Sequence, residues 1–250
     1  MKRNFFLILS VILCVTLFLP VTTYAQAYRM SDTDMTITVN DTEWYVFTRD
    51  NIKDNPELAE LGVSYEDMHS ILYDNEAYMD AILFYEDGGY IEFFVRKRPL
   101  DTGLVNLSNY KDSEVATFAK EIAKNQNTDN YGVYENTYKF AKLEYFDTTY
   151  NYHVCEYITV VNKDDYTLTF QSETEFTEWE YEEIKRIVDS IQFDVDTSLK
   201  EKSGSISLIP RVIGGGVAGG IAGLIIGLKN KKKKKTETPA ASVDTAEPEQ

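Results

Sequence analysis

The alternation of apolar and polar positions divides the 250-residue chain into two continuously apolar stretches, one near each end, and a long middle of mixed periods. Met35 to Asn40 alternates and predicts a strand. An Asn40-Asp41 turn and a second strand, Glu43 to Thr48, complete an early hairpin carrying Trp44. Asp50 to Gly62 contains Pro56 and predicts a short helical turn ending at Gly62. Ser64 to Tyr73 predicts a helix with Ser64 as cap and Asp67 in its first turn. Ala81 to Tyr85 and Tyr90 to Arg98 flank Glu86-Asp87-Gly88-Gly89, a hairpin turn that needs positive φ. Residues 99–108 predict a loop. Asn109 to Asn125 predicts a helix, with Val115, Phe118, Ala119 and Ile122 at helical spacing. Tyr138 to Phe146, Tyr152 to Asn162 and Tyr166 to Ser172 predict a meander, turning at Asp147-Thr148-Thr149 and at Lys163-Asp164-Asp165. The last helix opens on a capping box, Thr177 with Glu180, and its expected buried stripe is Trp179, Ile184, Ile187, Val188 and Ile191. Phe193 closes the core. The fold class is α+β, an antiparallel sheet packed with helices, over residues 35–196, with 28–34 a polar lead-in.

The ends predict a membrane topology. Met1-Lys2-Arg3-Asn4 is a positive start, Phe5 to Leu19 an apolar run, and Ala25-Gln26-Ala27 a small-x-small cleavage pattern. Residues 1–27 therefore read as a signal peptide cleaved after Ala27, or after Ala25. Leu13 before Cys14, and the apolar run continuing beyond it, argue against lipidation there. Residues 206–228 form a second apolar stretch, long enough as a helix to cross ~30 Å of hydrocarbon. Arg211 flanks its outer end, and Lys229, Lys231 and Lys232 open a run of lysines at the other. Such a run places its end in the cytoplasm, so both signals give one orientation. No LPxTG-like motif precedes the apolar stretch. The expected product is a single-pass protein of the cell membrane, with an extracellular N-terminal domain. Its 229–250 tail is basic, then disordered, and cytoplasmic.

Within the stretch, Gly215, Gly219, Gly223 and Gly227 recur every fourth residue. On a helix they share one face, where small residues let two backbones approach in lipid. This glycine zipper implies a homo-oligomer or a membrane-protein partner. A Gly-rich composition yields the same spacing without a contact, and both readings stay open.

Charge narrows the partners. Residues 28–205 hold 16 Lys and Arg against 37 Asp and Glu, a formal charge of −21. So acidic a domain excludes nucleic acid and repels anionic polymers. Its expected partners are the bilayer and cationic surfaces.

Candidate chemistry is sparse. Cys155 is the one cysteine of the mature chain, so no internal disulfide forms. It shares a strand face with His153, a nucleophile–base pair in one reading and a core thiol in the other. His69 and His153 are the two histidines and no metal spacing joins them. The oxygens of Asp50 to Glu57 lack calcium-loop spacing, and Asp32/Asp34 and Asp164/Asp165 read as solvated pairs. No catalytic residue, metal or cofactor is expected. Tyr110, Tyr131, Tyr134 and Tyr150 fall in polar loops or near helix starts, placing them either on a binding surface or half-buried beside strands.

The meander, the following helix ending IVDSIQFD (187–194) and the early hairpin with Trp44 resemble the Mog1/PsbP-like fold. The resemblance covers roughly 35–196 and implies binding or assembly rather than a reaction. The expected function is a non-enzymatic, membrane-anchored, extracytoplasmic binding or assembly module of a bacterial cell envelope. The alternative is an extracytoplasmic enzyme with an acidic site, which a pocket holding two carboxyls of raised pKa would favour.

Overall fold

The computed structural model describes residues 25–40, 43–100 and 104–195. Among these residues the strands form two sheets, and every pairing is antiparallel. The smaller has the order β1 (Ala25–Met30), β2 (Met35–Asn40), β10 (Gln192–Phe193). The larger contains β3 (Tyr45–Thr48), β4 (Ala77–Phe84), β5 (Tyr90–Pro99), β9 (Asp164–Ser172), β8 (Tyr152–Val161), β7 (Lys139–Asp147) and β6 (Tyr131–Glu135), in that spatial order. The helices are α1 (Glu57–Leu61), α2 (Tyr65–Asp74), α3 (Asp112–Asn125) and α4 (Glu178–Asp189), an α+β architecture.

Local signals are realised where they are strong. Ser64 Oγ accepts the Asp67 amide at 3.1 Å. Thr177 and Glu180 form the capping box of α4. Gly88 takes φ +94 in the β4–β5 turn, where an L side chain would be strained. The β8–β9 turn sits earlier than expected. Asn162 and Lys163 both have positive φ, the two-residue loop whose twist matches a hairpin. Asp164 and Asp165 therefore begin β9 instead of turning, and Asp165 is buried.

Three expectations fail on long-range grounds. The early hairpin does not form, because β2 and β3 belong to different sheets. The amides of Glu43 and Trp44 both reach back to Asn40 O, and the chain turns a corner there. Alternation reports a strand but not its neighbour. Of the expected lead-in, 28–34, Tyr28 to Met30 is strand: together with Ala25 to Ala27, expected as the end of the signal, it pairs with β2 along its whole length, and 31–34 form the turn. Tyr131 to Glu135, expected as loop, is the edge strand β6.

The large sheet is covered differently on its two faces. On one, β1, β2 and α4 pack over Trp44, Phe93, Phe140, Leu168 and Phe170 in one apolar cluster. Trp44 leads it, with its ring edge-on to Phe93 at 5.3 Å and its Nε1 donating to Glu183 Oε1 at 3.1 Å. On the other face, α2 covers Phe47, Ile82 and Phe94 near one edge, while α3 covers Ala141, Leu143 and Ile158 near the opposite edge.

Trp179 is not in the buried stripe of α4 but 52 % exposed. At 100° per residue it lies well round the helix from Ile184, whereas Glu180 lies near it. Glu180 is buried in its place, anchored by Tyr85 Oη at 2.6 Å and by the Thr177 hydroxyl at 2.7 Å.

Candidate functional site

The site follows from the side of the sheet beside α4. Strand alternation puts Lys142 and Glu144 of β7 on that face, with His153 and Tyr157 of β8. The face-packing residues of α4 and the turn before it bring Phe176, Tyr181, Glu182 and Lys185 over these strands. Two hollows result. One, about 250 Å³, is bounded by Asn130, Glu144, Tyr145, His153, Val154, Glu175, Phe176 and Tyr181. The other, about 410 Å³, is bounded by Tyr134, Lys142, Glu144, Tyr157, Tyr181, Glu182 and Lys185.

Glu144 and Tyr181 border both hollows and form the ridge between them. Tyr181 Oη donates to Glu144 Oε2 at 3.0 Å, and Asn130 Nδ2 donates to the same oxygen at 3.0 Å. Lys142 Nζ lies 2.6 Å from Glu144 Oε1 and 5.3 Å from the Tyr181 ring centre. Burial opposes ionisation of Glu144, but the contacts from Lys142, Tyr181 and Asn130 outweigh it and hold its carboxyl below the usual range. Burial, followed by the charge of Glu144, raises the Tyr181 phenol. The ridge is thus an ionised carboxylate with three donors already on it, set among rings.

Cys155 lies behind this surface and is fully buried. Burial pushes its thiol up to about 12, so it is not a poised nucleophile. His153 packs its ring against Phe146, centroids 4.9 Å apart. The Cys–His pair therefore reads as a core thiol beside a half-buried ring. His69 stacks on Tyr73 at 4.1 Å on α2. The Asp50 to Glu57 oxygens serve the turn instead. Asp50 accepts from Ser31, Asn51 Oδ1 from the Thr48 amide, and Asn55 Oδ1 from the Glu57 amide. Among the described residues no group of three or more His, Cys, Asp and Glu could hold a metal. Of the singled-out tyrosines, Tyr134 borders the larger hollow and donates to Asp189 Oδ1 at 2.5 Å. Tyr150 is exposed in the β7–β8 turn, and Tyr110 and Tyr131 are half-buried against α3.

A second polar cluster lies on the opposite face of the sheet, between the α2 and α3 clusters. Arg96 Nη2 donates to Thr169 Oγ1 at 3.1 Å and stands 3.6 Å from Glu156 Oε1. Thr169 Oγ1 in turn donates to Glu156 Oε1 at 3.0 Å, and Gln171 Nε2 donates to Glu92 Oε2 at 2.7 Å. Burial lowers the Arg96 pKa and raises that of Glu156, in each case against the charge of the other. Burial also raises Asp165 to about 6. These carboxyls are raised, but they lie in the sheet interior and border neither hollow. They do not supply the accessible acid–base pair that an enzymatic reading needs.

Sequence reasoning missed both clusters. The buried one had a signal, since Glu92, Arg96 and Glu156 interrupt strands that are otherwise apolar. The cleft had a weaker one, the i, i+2 pair Lys142 and Glu144 on one strand face. Tyr181 and Phe176 come from another element, and no local pattern joins them to β7.

The glycine face of Gly215, Gly219, Gly223 and Gly227 lies outside the described residues, as do Arg211, Lys229, Lys231 and Lys232. Among the described residues no helix is long and apolar enough to cross a membrane. The expected span at 206–228, the tail after it and most of the expected signal likewise lie outside them.

No family model and no curated protein matches the sequence. Among solved structures, the chain is similar to cyanobacterial PsbP (CyanoP) from Synechocystis sp. PCC 6803. The identity is 10 % and the TM-score 0.39, over 70 % of this chain and 95 % of that one. It is also similar to a protein from Bacteroides thetaiotaomicron VPI-5482, at 10 % identity and TM-score 0.34, over 67 % of this chain and 48 % of that one. The first is a PsbP, the group named in the sequence resemblance. Both likenesses concern layout, and no role passes from either protein to this chain.

Proposed function

We propose that this protein is a single-pass, membrane-anchored binding or assembly module of a bacterial cell envelope, with its acidic α+β domain outside and its lysine-rich tail in the cytoplasm. The observation that carries the binding reading is the cleft beside α4. Its walls are rings and its central carboxylate is already neutralised by Lys142 and held by two further donors. Such a surface is shaped for recognition, whereas general acid–base work needs a carboxyl free to exchange its proton. The anchoring rests on the order of the chain: basic start, apolar run, small-x-small pattern, folded domain, apolar stretch, lysines. The glycine face is assigned to helix–helix contact.

Two experiments test this. Ser205→Cys and Ser242→Cys are labelled in intact cells with a membrane-impermeant maleimide. Labelling of the first alone is expected, and labelling of the second alone would invert the topology. Crosslinking of the full chain in native membranes is then compared with a Gly219→Leu/Gly223→Leu variant. Loss of a defined partner or of the homo-oligomer is expected, and unchanged crosslinking removes the glycine face.

A further inference from the structure

The two hollows differ in charge, and the difference identifies an occupant. The larger is balanced, with Lys142 and Lys185 against Glu144 and Glu182. The smaller has, among the described residues, no lysine or arginine on its walls but two carboxylates: Glu144, already paired with Lys142 behind the ridge, and Glu175. Contacts from Lys142, Tyr181 and Asn130 outweigh burial and keep Glu144 ionised. Glu175 is exposed and makes no ion pair or hydrogen bond among the described residues. It stands at the rim with its charge unspent. The adjacent wall is aromatic. The Phe176 and Tyr181 rings meet at 5.7 Å and 55°, and His153 closes the hollow from the β8 side.

Carboxylate at the rim, rings along the wall and no cation inside is the arrangement that receives a cation. A guanidinium or ammonium over a ring face is attracted by its quadrupole, and a carboxylate at hydrogen-bond range fixes its head. The volume of about 250 Å³ lies below that of ordinary small-molecule pockets and suits one long side chain. A formal charge of −21 over residues 28–205 draws such a group from a distance. We propose that the hollow bounded by Glu144, Glu175, Phe176 and Tyr181 receives a cationic side chain, arginine foremost, projecting from a partner protein. Arginine fits better than lysine because its planar head can lie on a ring while its fork engages Glu175. The proposal rests on the binding-module reading and names the chemistry of the partner.

The test uses the full chain in detergent micelles, with an acetylated hexa-arginine amide as probe and its citrulline counterpart as the neutral isostere. Affinity is read by titration at low and high salt. The arginine peptide is expected to bind about tenfold tighter than the citrulline one, and to weaken as salt rises. Glu175→Gln and Phe176→Leu are each expected to weaken it about fivefold, with the fold checked by circular dichroism. Glu66→Gln, on exposed α2 and bordering neither hollow, leaves it unchanged. Equal binding of the two peptides, or affinity lost with Glu66→Gln as much as with Glu175→Gln and Phe176→Leu, overturns the proposal. In that case a partner still crosslinked in native membranes upholds the binding-module reading alone. Absence of both peptide binding and any crosslinked partner removes the reading as well.

Discussion

The two faces of the seven-stranded sheet are built from the same central strands yet solve burial in opposite ways. Beside α4, the inward residues of β4, β5, β9 and β8 form one apolar cluster, from Met79 and Phe93 through Phe170 to Tyr157. On the reverse face the apolar surface is split into an α2 cluster and an α3 cluster. Between them Arg96, Glu156, Thr167, Thr169 and Gln171 are all buried. The first face gains free energy from area removed from water. The second carries a desolvation cost that Arg96, Thr169 and Glu156 only partly offset, because Arg96 Nε and Glu156 Oε2 find no hydrogen-bond partner among the described residues. A buried ion pair contributes little to stability while intact and costs much when half removed, whereas a packed ring contributes in proportion to what it fills.

The contrast can be broken by substitution. The largest effect is expected on the apolar face. Trp44→Ala removes the most voluminous fully buried side chain and leaves Glu183 without its indole donor. A loss of about 4 kcal/mol is expected in urea denaturation of the full chain, and a loss below about 1 kcal/mol would show that this face does not hold the fold. Next comes Arg96→Met, with an expected loss of about 3 kcal/mol because Glu156 then lacks its countercharge. Adding Glu156→Leu should return the protein to within about 1 kcal/mol of its original stability. If the double variant is less stable than Arg96→Met alone, the reverse face is held by charge and not merely tolerant of it.

Asp165 sharpens the comparison through pH. Its folded pKa, about 6, lies above the ordinary 3.8, so the native state binds the proton more tightly than the unfolded chain does. Its contribution therefore favours folding below about pH 4, declines as pH rises toward 6, and is a full penalty above that. The shift corresponds to about 3 kcal/mol at most. Asp165→Asn should flatten the fall in urea midpoint between pH 4 and pH 6, and an unchanged slope would exclude this carboxyl as its source. The smallest effect belongs to the α4 cap. Thr177→Ala should cost about 1 kcal/mol, because the Glu180 amide loses its acceptor. A null result in thermal denaturation would mean that Tyr85 and the backbone amide of residue 177 suffice to anchor Glu180 on that face.

Much of this molecule was legible along the chain. Ser64 and Thr177 mark helix starts because capping is settled within three residues. Gly88 marks its turn because backbone sterics are local. The apolar period of α3 gives its buried face, since Val115, Phe118, Ala119 and Ile122 all turn inward. Charge alone separates the acidic domain from the lysines that follow it.

Partnership between distant segments was not legible. Tertiary packing assigned β2 and β3 to separate sheets, made Ala25–Met30 a strand, buried Glu180 in place of Trp179, and set Arg96 across from Glu156, 60 residues on. It also brought Tyr181 to Glu144 and so made the cleft. Periodicity, caps and turns depend on neighbours within a few residues, and sequence states them directly. Strand order, the face that meets solvent and the partner of a buried charge depend on which surfaces close over one another, and only the packed chain decides them.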